Sequence, residues 1–172
     1  MKIYRYRLPA LLLAMLMSAT SWGGGGADYA EHLAKVNDQV EIAGLLDLEV
    51  LRASREGEIL VVDLRTEAEG TAVEASQAES LGLGYVNIPV SSVSVDRGQL
   101  EALRNTLSQA DPDALVVVHC ASGNRAGVLW GAVQLEDGQS LESVKAALDG
   151  VLTKQPAIDG LEAFAQTLDA GR

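Results

Sequence analysis

Cys120 and Arg125 are the two side chains of this sequence best placed to do chemistry together. Val116-Val117-Val118-His119 reads as an apolar strand that stops at Cys120. The polar loop Ala121-Ser122-Gly123-Asn124 follows, and Arg125 then opens an apolar run at helical spacing. A strand–loop–helix corner of this kind is an anion site. Amides without partners at the helix start converge on the loop, and the helix dipole adds positive potential there. Such a corner favours the thiolate, which is the nucleophilic form of cysteine. Arg125 offers an oxyanion a planar, permanently charged fork. A cation in the first turn of a helix opposes the dipole preference, so a ligand accounts for Arg125 better than helix stability does. Gly123 suits a backbone that turns with positive φ or lets an anion come close. Ala121, Ser122, Gly123, Asn124 and Arg125 are therefore the expected anion cradle, with Ser122 steadying the sulfur. The loop implies a cysteine nucleophile that attacks, or carries, a small anionic group.

The elements that must position this corner lie within 172 residues, enough for one domain with a sizeable core. Lys2, Arg5 and Arg7 precede a short apolar run, Leu8 to Met17, and small residues follow. That is the pattern of a secretory signal peptide, and the run is short for a membrane span. We expect a signal peptide over 1–22, a flexible leader and lead-in over 23–40, and one domain over 41–172. The protein is then exported, periplasmic or secreted, with no stable membrane span after cleavage. Without residues 1–22 the chain keeps 10 Lys and Arg against 24 Asp and Glu, a formal charge of −14. Such a surface repels nucleic acid, so the affinity of the loop for anions must be local. Cys120 is the only cysteine, which rules out an intrachain disulfide. The two histidines, His32 and His119, have no metal-ligand spacing around them, so neither metal nor cofactor is expected.

Along the chain, 27–40 is weakly amphipathic and reads as a short helix or an irregular lead-in. Asp47 caps a helix over about 48–54, and Ile59 to Leu64 is a buried strand. A helix over about 73–81 ends at Gly82-Leu83-Gly84, and a strand over 85–88 closes at Pro89. A polar loop, Ser91 to Val95, leads to Asp96, which with Gln99 resembles a capping box before a helix over about 98–108. After the strand 114–119 and the cysteine loop, helices are expected to about 135, from Ser140 to about 152, and over 158–168, with Gln155-Pro156 as a break. Strands alternating with helices imply an α/β fold with a mostly parallel central sheet and helices on both faces. Ligands bind beyond the carboxyl ends of such strands. Asp63, Arg65, the loop after Pro89 and Cys120 all fall at such ends.

Over about 59–132 the sequence resembles the phosphatase-like domain of β-lactamase-hydrolase-like proteins, a branch of the dual-specificity and tyrosine phosphatase-like superfamily. The resemblance is carried by Val62-Asp63-Leu64-Arg65, by Glu79 to Val90, and most specifically by His119-Cys120-Ala121-Ser122-Gly123-Asn124-Arg125. It implies a cysteine phosphatase-like fold, a Cys120 nucleophile and a loop that cradles a tetrahedral anion. Tyrosine phosphatases typically place five residues between the cysteine and the arginine, whereas here there are four. That length resembles the active loop of single-domain rhodaneses, which carry sulfane sulfur as a persulfide. A tighter cradle suits one sulfur atom better than three phosphoryl oxygens.

Three readings follow. The first is sulfane-sulfur transfer through a Cys120 persulfide, with thiosulfate or a persulfide as donor. The second is phosphomonoester hydrolysis through a Cys120 thiophosphate. The third is a non-catalytic anion-binding or redox-sensing module. The resemblance makes Asp96 the candidate general acid for the second reading, in competition with its role as a helix cap. It also implies that His119 supports the loop from behind. Adjacent strand residues face opposite sides, which argues against His119 as the direct base. Asp63 and Arg65 are expected as a pair behind the site or as a solvated ion pair.

Overall fold

The computed structural model describes residues 29–171. The expected signal peptide and the start of the leader lie outside the described residues. Five strands form one sheet: β1 (Ala34–Lys35), β2 (Val40–Ala43), β3 (Ile59–Asp63), β4 (Gly84–Asn87) and β5 (Leu115–His119). Their order is β1-β2-β5-β3-β4; β1 is antiparallel and the other pairings are parallel. Six helices surround the sheet: α1 (Leu48–Ser54), α2 (Thr71–Ser80), α3 (Arg97–Gln109), α4 (Asn124–Glu136), α5 (Leu141–Ala147) and α6 (Gln155–Ala170). The α/β class and the mostly parallel sheet are as expected.

Strand alternation sorts the core into two layers. Ile59, Val61 and Val117 pack with Leu48, Leu51 and Ala78 from α1 and α2. Val62, Val116 and Val118 pack with Leu100, Leu103, Leu129 and Leu161 from α3, α4 and α6. β5 is central and buried along nearly its whole length, as the run Leu-Val-Val-Val-His requires of a strand covered on both faces.

Three boundaries differ from the sequence reading. The lead-in holds no helix and is largely irregular, interrupted by the two-residue β1 and ending where β2 begins at Val40, yet Tyr29 within it is buried. The packed unit therefore begins before residue 41. Val40-Glu41-Ile42-Ala43 hides as a strand because all four residues are buried and the acidic Glu41 interrupts the apolar run. Tyr29 and Arg55 make that burial possible by hydrogen-bonding the two Glu41 oxygens. The helix after Ser140 stops at Ala147 instead of reaching 152, because the chain turns at Gly150 with φ 78°. The last helix starts at Gln155, with Pro156 in its first turn, where proline is tolerated, so Gln155-Pro156 opens a helix and does not interrupt one.

Candidate active site

The parallel register sets Ala43, His119, Asp63 and Asn87 in one row across the carboxyl end of the sheet. Cys120 is the next residue on the central strand, and its N–H donates to Ala43 O at 3.3 Å. Consecutive side chains diverge here as expected. Cys120 packs on the α3–α6 side, while His119 turns to the α1–α2 side and contacts Glu74. His119 is therefore no base for the thiol; it belongs to a buried cluster behind the loop.

Gly123 caps α4 with φ 77°, in the left-handed region expected of it. A Cβ at this position would lie 2.6 Å from Val151 Cγ1, so the turn excludes a side chain on two counts. The first amide bonded within the helix is that of Gly127, donating to Gly123 O at 2.7 Å. The amides of Asn124, Arg125 and Ala126 have no acceptor within the helix and are the donors available to an anion. Ser122 pairs with Gly44 in an isolated bridge, which fixes the loop to the end of β2.

The Asn124 side chain has a second task. It is buried and turned away from the cradle. Oδ1 accepts from Thr153 N at 3.0 Å and Lys154 N at 2.9 Å; Nδ2 donates to Ser122 O at 3.1 Å. Only its backbone amide remains for anion binding. The side chain instead caps α6, whose own N-cap, Lys154, supplies no side-chain acceptor. Asn124 meets Lys154, and Gly131 meets Leu161, so α4 and α6 run side by side in the same direction. The positive ends of two helix dipoles thus meet at the Cys120 loop.

The Arg125 fork is already engaged. Nη1 donates to Glu69 Oε2 at 2.9 Å and to Val90 O at 2.8 Å, and Nη2 donates to Glu69 Oε1 at 2.6 Å. The Glu69 hydrogen bonds, aided by the nearby Cys120 sulfur, hold the guanidinium still more firmly charged than usual. In return Arg125, helped by the Thr66 amide and hydroxyl, brings the Glu69 carboxyl down to about 2. Glu69 ends a single 3₁₀ turn, Glu67–Glu69, after β3. Arg125 is thus turned inward toward the sulfur, but Cys120 has no exposed surface.

Behind the loop, Asp63 and Arg65 form a buried pair and not a solvated one. Nε donates to Oδ1 at 3.0 Å and Nη2 to Oδ2 at 2.8 Å. Burial would raise the Asp63 carboxyl, but the Arg65 hydrogen bonds, His119 and Tyr85 outweigh it and hold it below its usual range. Arg65 also bonds Glu74 and reaches Glu69 O at 3.4 Å, which joins the cluster to the turn that carries Glu69. His119 Nε2 lies 2.8 Å from Glu74 Oε1 and 3.6 Å from Asp63 Oδ1, yet neither ring nitrogen makes a hydrogen bond. Asp63, Glu74 and His119 could each offer a ligand atom to a metal ion, a convergence their sequence spacing does not reveal. Arg65 already binds both carboxylates, so a guanidinium supplies the positive charge there.

Asp96 caps α3, accepting from Gln99 N at 3.1 Å, and is exposed. The segment that bears it leaves the site at Val90, whose carbonyl holds Arg125, and is closed by Gln99 Nε2 donating to Pro89 O at 2.7 Å. No hydrogen bond or ion pair joins Asp96 to Cys120 or Arg125 among the described residues. The sequence reading missed Glu69 and Val90. An acidic residue four positions after Arg65 was the available signal for Glu69; a backbone carbonyl carries no sequence signal.

The family described as Beta-lactamase hydrolase-like protein, phosphatase-like domain, matches residues 32–136. The Beta-lactamase hydrolase-like protein of Xylella fastidiosa is 27% identical over 113 residues, which are 62% of this chain and 26% of that protein. The match thus spans about a quarter of the relative's length. A DUF442 protein from Shewanella putrefaciens CN-32 superposes with TM-score 0.65 at 20% identity, over 83% of this chain and 92% of that one. P. aeruginosa TpbA, in a cysteine-to-serine form in complex with phosphotyrosine, gives TM-score 0.62 at 15% identity, covering 83% and 90%. Kinase associated phosphatase with its catalytic-site cysteine replaced by serine gives 0.60 at 15%, covering 83% and 98%. These likenesses identify the fold as cysteine phosphatase-like.

Proposed function

This chain belongs to the family of phosphatase-like domains found in Beta-lactamase hydrolase-like proteins, and from that membership and the geometry of its loop we propose that it hydrolyses phosphomonoesters through Cys120. One observation carries the reading. A cysteine ends the central strand, and an inward-turned arginine and three acceptor-free amides follow it in the next helix. The Cys120 thiolate attacks phosphorus, so the S–P bond forms as the ester P–O bond breaks. The departing oxygen takes a proton, for which Asp96 is the candidate donor. Water then forms a new P–O bond, releasing phosphate and the thiolate. Arg125 and the helix-start amides hold the equatorial oxygens, where charge accumulates. His119, Asp63 and Arg65 buttress the loop from behind and take no part in bond making.

Sulfane-sulfur transfer, which the sequence places first, stands second. The observation that favours it is the four-residue spacing between Cys120 and Arg125. It needs no acid, in keeping with Asp96 acting only as a helix cap. We also propose that the protein works after export, supported by the basic-apolar-small pattern of residues 1–22. Among the described residues no helix is long and apolar enough to cross a membrane.

Purified protein is given p-nitrophenyl phosphate and, separately, thiosulfate with cyanide. We expect nitrophenol release that is abolished in Cys120→Ser, reduced at least about a hundredfold in Arg125→Lys, and reduced in Asp96→Asn at unchanged melting temperature. Thiocyanate formation without nitrophenol release would replace this reading with the second. Silence in both assays, with retained phosphate binding, would leave an anion-binding module.

A further inference from the structure

We propose that a cavity beside the second half of α4, away from Cys120, is a seat for a small uncharged sugar, a single pyranose ring. The cavity holds about 230 Å³ and lies between α4, α5 and the turn that joins β1 to β2. Trp130 and Gln134 of α4, Gln139 beyond its end, and Ser143 and Val144 of α5 line it, with Val36 of the turn opposite.

Trp130 carries the proposal. Its side chain belongs to the larger core layer and the residue is only 4% exposed. A buried indole N–H normally finds an acceptor. Here it has none among the described residues, and its nitrogen is not sealed against solvent. A donor fixed by the core thus opens on the cavity that the residue lines.

The rest of the lining fixes the class of guest. None of it is charged, in a chain where 22% of the residues are. A charged guest would give up its hydration there for no countercharge. Among the described residues the side chains of Gln134, Gln139 and Ser143 make no hydrogen bond. Each can donate and accept, as every sugar hydroxyl can, whereas the indole only donates. One ring bearing several hydroxyls meets all four; a simple amide, with one carbonyl and one N–H edge, does not. Val36 and Val144 supply an apolar wall for the C–H face of the ring. The volume equals about eight waters at ~30 Å³ each, room for one ring and not for a nucleotide.

The walls are held before any guest arrives. Asn37 Oδ1 accepts from Gln39 N at 2.9 Å and Val40 N at 2.7 Å, and Val36 N donates to Val40 O at 3.1 Å, which fixes the turn. Gln139 N donates to Gln134 O at 3.0 Å, which sets these two residues side by side. Binding therefore orders few groups. Gln134 lies more than two turns beyond Arg125 on α4, so a guest there leaves the reacting pair free.

The chain has two tryptophans, Trp130 and Trp22. In the full chain carrying Trp22→Phe, all tryptophan emission comes from the proposed seat. We titrate it with the methyl glycosides of glucose, galactose and mannose, and with glucuronate, glucosamine and acetamide for comparison. At least one neutral glycoside is expected to shift the emission saturably in the millimolar range, with glucuronate and glucosamine at least about tenfold weaker. Gln134→Leu should weaken the glycoside about tenfold at unchanged melting temperature, and Cys120→Ser should leave it unchanged. Trp130→Phe, read by saturation-transfer NMR, should weaken it similarly; if that variant melts early, Gln134→Leu and Ser143→Ala decide. The proposal is overturned if no glycoside saturates, if the charged sugars bind as tightly, if acetamide saturates where the glycosides do not, or if Gln134→Leu and Ser143→Ala both bind like the wild type.

Discussion

Replacing Asn124 tests whether the cysteine loop is held by α6. In Asn124→Ala the acceptor for two amides is lost: Lys154 N–H has no other backbone acceptor, and Thr153 N–H keeps only Val151 O at 3.1 Å. The Nδ2 bond to Ser122 O is lost as well. Taking about 1 kcal/mol for each well-formed hydrogen bond, and treating the Lys154 bond as a helix cap, the loss is about 2–3 kcal/mol. The better helix propensity of alanine returns at most about 0.5 kcal/mol, too little to cancel it. For a domain of this size that is a fall of roughly 6–12 °C in melting temperature. Asn124→Asp separates the structural tie from the chemistry. It keeps the acceptor for Thr153 and Lys154, and its charge suits the starts of α4 and α6, so it should lose less than half as much stability. The same charge beside the cradle opposes an anionic guest and should weaken phosphate protection of Cys120 by at least about tenfold, or 1.4 kcal/mol. The assay is thermal melting together with alkylation of Cys120 against phosphate concentration. An Asn124→Ala protein that melts within about 2 °C of the wild type would refute the tie, as would equal stability losses in the two variants.

Four further outcomes are expected. Gly123→Ala should cost about 2–3 kcal/mol in a urea melt, because φ is 77° and Val151 Cγ1 lies 2.6 Å from the new Cβ; Val151→Ala in the same chain should recover the steric part and not the backbone part. A Cβ at Gly160 would lie 2.4 Å from Val93 O, so Gly160→Ala should push the 91–96 loop off α6, lowering the urea midpoint by the equivalent of about 1–3 kcal/mol with the slope unchanged. Burial, then the Glu41 hydrogen bond, pushes Tyr29 up to about 12, so Tyr29→Phe should leave the phenolate absorbance change up to pH 11 nearly intact. The stability this raised group contributes is complete below pH 10 and lost as pH climbs through 12, so over that range the wild type should lose melting temperature faster than Tyr29→Phe. Arg125 depresses the Glu69 carboxyl to about 2, so the contribution of the pair is present above about pH 4.5 and lost as pH falls through 2; melting curves of wild type and Glu69→Gln should run parallel from pH 8 to 5 and converge toward pH 2.

Local chemistry made much of this protein legible from its sequence. The run Val116 to His119 ending at Cys120, the glycine at 123 and the arginine at 125 describe a strand, a left-handed turn and a helix start without reference to the rest of the chain. Asp47, Asp96 and Ser140 announce helix starts because a cap bonds an amide three residues away, as each of them does here. Alternation of strands and helices was enough for the parallel sheet, since a parallel neighbour requires a crossover. The wrong facing of His119 as a base was legible too, because alternation of side chains is a property of any strand.

What only the tertiary structure decided are pairings between residues far apart in sequence. Glu69 meets Arg125 across 56 positions, Asn124 meets Lys154 across 30, and Glu41 becomes tolerable in a strand because Arg55 and Tyr29 reach it. Propensity and periodicity act over a few residues and carry no information about such partners. A buried or charged group declares a need for a counterpart, but which residue supplies it depends on how the strands are ordered and which helix ends they bring together. That ordering committed the Asn124 side chain to capping a second helix, and it set a carboxylate against the arginine that the sequence left without a partner.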